Sequence, residues 1–516
     1  MRAKSLIRAV WIAATCTLVA ACGSSAGVSI SAGAAPAPPK ASAGAIPEPT
    51  TAPSASVSFS SSAVLKDWPE FGLDPQRDDA TERATGITSA NVGRLSHLHV
   101  ALPGTVDSSP VYEHAATVDG AAHDTIVVTT TYGKTSAIDA DSGRILWTFT
   151  PPGYSKWAGS AQITNASPLI DPGRLWVYAA SPDGLIHKLS LNDGLEDQTG
   201  GWPVSVTEDA AREKLGSALN IDGPDLLVAT SGYIGDAPPY QGHLVAIDRA
   251  TGRVASVFNT LCSNRRRLQA PSTCEASDSA ILSRGGPVVE PAGRHVLVDT
   301  GNGPWNGHTD FGDSVLELSF PGLGLRQAFT PVDQEQLNKT DTDLGSSAPA
   351  LLGHDRLMVA GKDGIVRVLS LSRLNGRSPA NRTLLGGEVQ KLPLAGGGEL
   401  FTAPAVWHRA GRTTVFVGAE HATAAYVLRS GRLYEAWQNS TPGTSPVFAG
   451  GLLYVYDPSG GGIDVYRPNS PRPIARLSAE PGHWNSPIVA DGHVIEPSGD
   501  ANEHLATGAI EIFSAG

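Results

Sequence analysis

Short runs of apolar residues, many of them β-branched, alternate along this chain with turns that contain Gly or Asp. Residues 125–130, 135–139 and 144–149 are three such runs, and Tyr132-Gly133 and Asp141-Ser142-Gly143 separate them. Runs of this length between tight turns predict antiparallel β-hairpins. Beyond the N-terminal leader, no segment sustains the 3.6-residue apolar period of a helix. The pattern therefore predicts an all-β fold.

A short motif precedes each group of runs: a small residue, then Pro, then an apolar residue. Its copies begin at Ser109, Ser167, Gly286, Ala348, Ala403, Ser445 and Ser486, and an eighth copy without Pro begins at Ser217. The copies lie roughly 40 to 70 residues apart, which is the spacing of propeller blades with loop insertions. A repeat that cannot bury its own apolar face must stack on its neighbours. We therefore predict an eight-bladed β-propeller of four-stranded antiparallel blades.

The last repeat is one strand short. It ends with the apolar run at residues 507–513, close to the C-terminus. Residues 94–102, ahead of the first repeat, alternate polar and apolar side chains. We expect this N-terminal strand to complete the last blade and close the ring, which would cover two open sheet edges.

The charge and motif content of the chain argue against several classes of function. The formal net charge is -12, and only 17% of the residues are charged. A nucleic-acid partner is not expected, because it would require a basic stripe. The one basic run, Arg265-Arg266-Arg267, lies in a predicted loop and is expected to be a solvated tip. The sequence has no Gly-x-Ser-x-Gly, His-Glu-x-x-His or phosphate-loop motif, so hydrolase and nucleotide functions lack motif support.

The N-terminus has the form of a targeting signal. Arg2, Lys4 and Arg8 precede an apolar run at residues 9–21, which is short for a permanent membrane span. The run ends in Leu-Val-Ala-Ala before Cys22, which resembles the lipobox of bacterial lipoproteins. The resemblance implies a cleaved signal peptide at residues 1–21 and a lipidated Cys22. An ordinary secretory signal with a coincidental cysteine is the alternative.

A lipidated Cys22 would hold the protein on a cell membrane, facing the periplasm or the cell exterior. Residues 22–62 are rich in Ala, Pro and Ser, and such a segment is expected to be a disordered tether. The propeller would then occupy residues 63–516. The remaining pair, Cys262 and Cys274, is expected to form a disulfide in this oxidising compartment.

One repeat carries a more specific signature. The sequence from Ala137 to Trp147 reads Ala-Ile-Asp-Ala-Asp-Ser-Gly-Arg-Ile-Leu-Trp, and it resembles the repeat of the pyrroloquinoline quinone (PQQ)-like propellers. In that family the Trp docks between adjacent blades. Residues 246–252 keep the motif without the Trp, and residues 67–75 resemble the opening of mature quinoprotein dehydrogenases. The resemblance extends over residues 66–516.

The resemblance also implies a cofactor site. In quinoprotein alcohol dehydrogenases the quinone lies in the central funnel over calcium, and an Asn of a Thr-Gly-Asn segment ligates the metal. Asn302 matches that position in this chain, and an amide oxygen suits calcium. A turn-forming role is the alternative for Asn302. The chain departs from the dehydrogenases in having no adjacent Cys pair and no Cys-x-x-Cys-His haem attachment site, and it shows no assignable Glu ligand or Asp base.

Two aromatic residues are candidates for cofactor binding. Trp407 and Trp484 lie near repeat motifs, where an aromatic face in the funnel could stack on a planar ligand. Packing between blades is the alternative for both. Asp341 and Asp343, with Asp333, offer carboxylates close in sequence, either for calcium or in a solvated loop.

Three functions remain open. The first is a membrane-anchored extracytoplasmic lipoprotein whose propeller binds a small ligand, a protein or a polymer without catalysis, and which is expected to be a monomer. Propellers of this family also serve as assembly factors for outer-membrane proteins. The second is a divergent quinoprotein dehydrogenase of alcohols or sugars that uses PQQ and calcium. The third is another enzyme, such as a lyase or hydrolase. The missing redox elements favour the first, and no catalytic residue is assigned.

Overall fold

The computed structural model describes residues 64–291, 293–376 and 384–516. These residues form eight four-stranded antiparallel sheets, which are the blades of a propeller. The first strands of successive blades contact one another and are therefore the innermost. The predicted signal peptide, the tether and Cys22 lie outside the described residues. No helix in the described part of the chain is long and apolar enough to cross a membrane.

The blades are numbered in chain order. Blades 1 and 2 contain Val111–Val118, Ala121–Thr129, Thr135–Asp139 and Ile145–Phe149, then Leu169–Ile170, Trp176–Ala180, Leu185–Ser190 and Val204–Ser205. Blades 3 and 4 contain Asn220–Asp222, Asp225–Ala229, His243–Asp248 and Arg253–Asn259, then Val288–Val289, His295–Asp299, Val315–Ser319 and Gly324–Phe329. Blades 5 and 6 contain Ala350–Gly353, Arg356–Val359, Ile365–Ser370 and Gln390–Pro393, then Ala405–Arg409, Arg412–Gly418, Thr423–Arg429 and Arg432–Asn439. Blades 7 and 8 contain Val447–Ala449, Leu452–Tyr456, Ile463–Tyr466 and Pro473–Leu477, then Ile488–Ala490, His493–Ser498, Gly508–Ser514 and Ser96–Leu102.

Several shorter helices, turns and strands lie outside the four-stranded blades. The described α-helix is Gln334–Lys339. A two-stranded ribbon joins Glu213–Lys214 to Ser231–Gly232 beside blade 3, and Ala80–Thr81 adds a parallel strand to the inner edge of blade 7. Single 3-10 turns are Val92–Arg94, Tyr154–Lys156, Pro271–Thr273, Leu344–Ser346 and Ala501–Glu503.

Both ends of the described chain build blade 8. Strand Ser96–Leu102 pairs antiparallel with Gly508–Ser514 along its whole length, with His99 opposite Glu511. The predicted closure of the ring by the N-terminal strand is therefore confirmed. Strand Gly508–Ser514 is thereby paired on both sides, and Ser96–Leu102 becomes the outer edge of blade 8.

Apolar side chains between neighbouring blades form the core, and Trp147 shows how the repeat motif contributes. Its indole N–H donates to the backbone oxygen of Leu191 in blade 2, 2.9 Å away. A Cβ placed on Gly194 would lie 2.6 Å from the Trp147 ring, so only glycine admits this contact. The docking of the motif Trp between adjacent blades, which the family resemblance implies, is confirmed.

Residues 64–81, here called the N-terminal segment, run across the innermost strands and touch most of the blades. Its backbone forms hydrogen bonds with Tyr112, Ile170, Val289, Val406, Phe448 and Asp491, which belong to blades 1, 2, 4, 6, 7 and 8. Phe71 is buried at the centre of the ring, where a Cβ on Gly285 would lie 3.4 Å from its ring. The segment thus fills the axis of the propeller.

Cys262 and Cys274 form a disulfide, as expected. The loop that it closes carries Arg265, Arg266 and Arg267, all exposed. The basic run is therefore a solvated loop tip.

Candidate functional site

A funnel-shaped cavity of about 430 Å³ opens at one end of the blades. Its wall is formed by loops that lead into the innermost strands and by loops between second and third strands. The residue two positions before the small residue of the repeat motif lines the funnel in five copies: Asp107, Asn165, Arg284, Phe401 and Trp484. Five of the eight repeats therefore present one side chain each to the same space.

Asp107 is the centre of a charged network in this funnel. Arg284 Nη2 lies 3.1 Å from its Oδ1, and His483 Nδ1 lies 2.9 Å from its Oδ2. Asn165 Nδ2 also donates to Oδ2 at 3.2 Å. Burial alone would raise the pKa of Asp107, but the Arg284 charge and the bond from His483 hold that pKa at about 2. Asp107 is thus a fixed anion that orients the Arg284 guanidinium.

Trp484 is part of an aromatic stack in the funnel, which places this predicted residue at the cavity. Its ring centroid lies 4.6 Å from that of Phe401 and 4.0 Å from that of His483, both nearly parallel. The guanidinium of Arg284 lies 5.0 Å from the indole centroid. A planar ligand that stacks on Trp484 would have to share or displace one of these three neighbours.

Lys214 is a cation of the funnel wall, and the carboxylates of Asp107 and Asp236 lie near it without forming an ion pair. It lies on the ribbon beside blade 3 and, within the described residues, makes no hydrogen bond or ion pair through its ammonium group. Burial, with a further contribution from the Arg284 charge, lowers the pKa of Lys214 to about 8. An ammonium in this position is available to an anionic ligand.

Asn302 lies in the same funnel, next to carboxylates. Its backbone N–H donates to Asp343 Oδ1 at 2.7 Å, and Lys362 Nζ lies 2.5 Å from Asp343 Oδ2. Asp341 also lines the cavity, 3.8 Å from the same ammonium. Burial raises the pKa of Asp343, and the Lys362 charge opposes that rise. Asn302 does not adopt a positive φ.

Trp407 lies elsewhere. It occupies the far half of the innermost strand of blade 6 and lines a separate cavity of about 880 Å³ with Arg409, Arg412 and Arg429. Its indole N–H donates to Glu82 at 3.2 Å. The structure therefore does not bring Trp407 together with Trp484. Asp333, the third predicted carboxylate, is exposed ahead of the short helix and is not part of the funnel wall.

Sequence analysis missed six charged residues of the funnel: Asp107, Lys214, Asp236, Arg284, Lys362 and Glu399. Asp107 and Arg284 had a usable signal, because both stand two residues before the small residue of a repeat motif. Lys214 and Lys362 do not stand at a fixed distance from a repeat motif. Their position depends on loop conformations that the repeat does not encode.

The donor chemistry of the funnel fits the two groups that the family resemblance implied. Lys214 and Arg284 suit the carboxylates of a planar polyacid such as PQQ. The amide of Asn302 and the carboxylates of Asp341 and Asp343 are the hard oxygen donors that calcium prefers. Lys362 already neutralises Asp343 in part, so calcium would compete with an ammonium for that carboxylate.

Comparison with known proteins agrees with this architecture. Residues 85–273 match a PQQ-repeat family model described as outer membrane protein assembly factor BamB. The dehydrogenase subunit of a quinone alcohol dehydrogenase from Gluconacetobacter polyoxogenes is 24% identical over 264 residues. That match covers 50% of this chain and spans only 33% of the length of the curated relative.

Solved structures share the fold at low sequence identity. Europium-containing methanol dehydrogenase superposes with a TM-score of 0.63 at 16% identity, covering 87% of this chain and 98% of that one. Quinohemoprotein alcohol dehydrogenase from Comamonas testosteroni gives 0.61 at 14% identity, with 88% and 81% covered. BamB from Moraxella catarrhalis gives 0.50 at 14% identity, with 82% and 100% covered. The fold is thus similar to both quinoprotein dehydrogenases and BamB.

Proposed function

We propose that this protein is a lipid-anchored, extracytoplasmic binding propeller whose funnel takes a planar, anionic small molecule. The observation that carries the proposal is the position of Lys214, a partly buried cation without an ion-pair partner among the described residues, in the same cavity as Arg284 and Trp484. A buried charge is costly unless something pairs with it. An anionic ligand would supply that pair.

The funnel offers complementary surfaces for such a ligand. Arg284 is oriented by Asp107 and lies against the Trp484 ring, so its charge and the aromatic face are presented together. Charge-assisted hydrogen bonds from Arg and Lys are stronger than neutral ones. The cavity volume of about 430 Å³ falls within the range of small-molecule pockets, about 300 to 1,000 Å³.

Variants of the two cations test this proposal. We expect Lys214→Met and Arg284→Met each to weaken the binding of PQQ, used as a planar tricarboxylate probe, by about tenfold or more, since hydrogen bonds to charged groups contribute about 1.5–3 kcal/mol. Lys391→Met is the matched control, because Lys391 pairs with Glu388 outside the funnel. Equal affinities for all three variants and the unmodified chain would refute the funnel site.

The membrane anchor is tested separately. Lipidation of Cys22 would place the propeller on the membrane through the predicted tether, as two acyl chains hold a protein stably. We expect the Cys22→Ser chain to leave the membrane fraction and to lose incorporation of labelled palmitate. If the variant stays in the membrane fraction and still incorporates palmitate, lipidation at Cys22 is contradicted.

A divergent quinoprotein dehydrogenase is the second candidate, favoured by the contact of Asn302 with Asp343 in the funnel. PQQ with calcium would supply the electron acceptor for oxidation of an alcohol or sugar. In this chain Lys214 and Arg284 would hold the quinone carboxylates, Asn302 and Asp341 would offer oxygen ligands, and Asp343 would accept the hydroxyl proton. Dye reduction with ethanol or glucose after loading with PQQ and calcium, abolished by Asp343→Asn, would establish this candidate.

A further inference from the structure

Three metal-binding side chains converge at the end of blades 1 and 8 that lies away from the funnel. His114 is at the irregular part of the first strand of blade 1, and Asp124 is on the strand beside it. Asp491 lies in the hairpin between the first two strands of blade 8. His114 Nδ1 is 2.9 Å from Asp124 Oδ1 and 2.7 Å from Asp491 Oδ2.

Hydrogen bonding does not account for this cluster. A ring nitrogen carries at most one proton, so it cannot make an aligned hydrogen bond to each of two carboxylates at once. His114 Nδ1 is buried and, despite both close oxygens, makes no aligned hydrogen bond. The ring nitrogen thus faces two carboxylates without an aligned hydrogen bond to either.

Tyr112 gives an independent indication. Its side chain is fully buried, with 0% exposure, and its hydroxyl makes no aligned hydrogen bond. The carboxylates of Asp124 and Asp491 lie close to this hydroxyl. A buried oxygen atom of Tyr112 therefore lies beside the two carboxylates that His114 contacts.

We propose that His114, Asp124 and Asp491 bind a divalent cation of the zinc type at the seam between blades 1 and 8. One imidazole and two carboxylates form a three-ligand set that leaves a fourth position for water or for Tyr112. Metal–ligand bonds of about 2.0–2.2 Å in a tetrahedron place the ligand atoms roughly 3.3 Å apart. The observed separations of 2.7 and 2.9 Å are slightly smaller, so binding requires only small side-chain movements.

The other contacts of these residues are compatible with a cation. Asp124 Oδ1 also accepts the Ala115 N–H at 2.8 Å, and Asp491 Oδ1 accepts Lys66 Nζ at 2.5 Å. The cation would use Asp491 Oδ2 and leave Lys66 on the other oxygen. The side chain of His114 is 35% exposed, which provides a path from solvent.

The site would join the first and last blades of the ring. Blade 8 is built from both ends of the described chain, and Asp491 belongs to it, whereas His114 and Asp124 belong to blade 1. A cation that binds only the closed ring stabilises it by mass action. None of the three ligands lines the funnel, so this site is independent of the proposed function.

Calorimetry with zinc chloride after treatment with EDTA tests the site in the full chain. Since changes to residues that merely orient a metal ligand cost about 10- to 100-fold in affinity, we expect His114→Ala to weaken zinc binding at this site by at least about 100-fold. Zinc should also raise the unfolding temperature of the unmodified chain, and this rise should be absent in the variant. His123→Ala is the matched control, since His123 contacts the single carboxylate Asp139 at 2.7 Å.

Asp491→Asn provides a second variant if His114→Ala fails to fold, which circular dichroism would show. It should weaken zinc binding in the same way, because an amide is a poorer zinc ligand than a carboxylate. Absence of zinc binding by the unmodified chain, or unchanged binding in the folded variants, would overturn the proposal.

Discussion

Phe401 and Trp484 stack with their ring centroids 4.6 Å apart, and this contact connects the loops that enter blades 6 and 8 across the funnel. Both residues stand two positions before the small residue of their repeat motif. The stack is therefore built by the repeat itself, and blade 7, which lies between them, contributes Gly443 at the same repeat position.

Replacing Trp484 should weaken ligand binding through the loss of an aromatic face. We expect Trp484→Ala to reduce the affinity for PQQ by about tenfold, since aromatic pairs contribute about 0.5–1.5 kcal/mol beyond the area that they bury. Trp484→Phe should retain most of the affinity. Calorimetric titration of both variants measures the difference, and equal losses would contradict a stacking role.

The affinity of the funnel for an anion should depend on pH through Lys214. Its pKa of about 8 means that the ammonium is present at pH 7 and is lost as the pH rises through about 8. PQQ binding should therefore weaken above pH 8, by at most about tenfold per pH unit. Lys214→Met should bind more weakly at pH 7 and show no such decline. A flat profile in the unmodified chain would contradict a charged Lys214 at the site.

The N-terminal segment should make the propeller more stable in mild acid. Glu70 is buried beside Arg77, whose Nη1 lies 3.0 Å from Glu70 Oε2. Burial raises the pKa of Glu70 to about 7, although the Arg77 charge opposes the rise. A raised folded-state pKa gives stability that is complete below about pH 4.5 and is lost as the pH rises through about 7.

Glu70→Gln should remove this dependence. We expect the difference in unfolding free energy between pH 5 and pH 8 to shrink by up to about 3 kcal/mol, because one pKa unit corresponds to about 1.4 kcal/mol. Urea unfolding at both pH values measures it, and the exposed Glu335→Gln serves as the control. An unchanged difference in Glu70→Gln would show that Glu70 is not protonated in the folded state.

Phe71 should contribute to stability from the centre of the ring. It is 2% exposed and packs against the glycine that follows Arg284. We expect Phe71→Ala to lower the free energy of unfolding by about 3–5 kcal/mol, because truncation of a buried Phe leaves a cavity. A loss below about 1 kcal/mol would mean that the segment does not pack stably in the axis.

Local patterns predicted the features that the repeat encodes. The strand at Ser96–Leu102 and the docking of Trp147 followed from residue alternation and from the family motif. The path of the N-terminal segment did not, because its contacts join residues that are distant in sequence. Lys214 was missed for a related reason: it belongs to a ribbon that pairs the segment before blade 3 with the loop between the second and third strands of that blade. Trp407 follows a repeat motif rather than preceding it. It therefore lies along the innermost strand of its blade and not in the loop that lines the funnel.

The most direct test of the funnel site is a calorimetric titration of the full chain with PQQ, first in EDTA and then with calcium. We predict saturable binding of one PQQ per chain in EDTA, since Lys214 and Arg284 supply the positive charges without a metal. Binding only with calcium, accompanied by dye reduction, would assign the chain to the dehydrogenase candidate. No heat beyond dilution in either buffer would contradict the binding of a planar anion in the funnel.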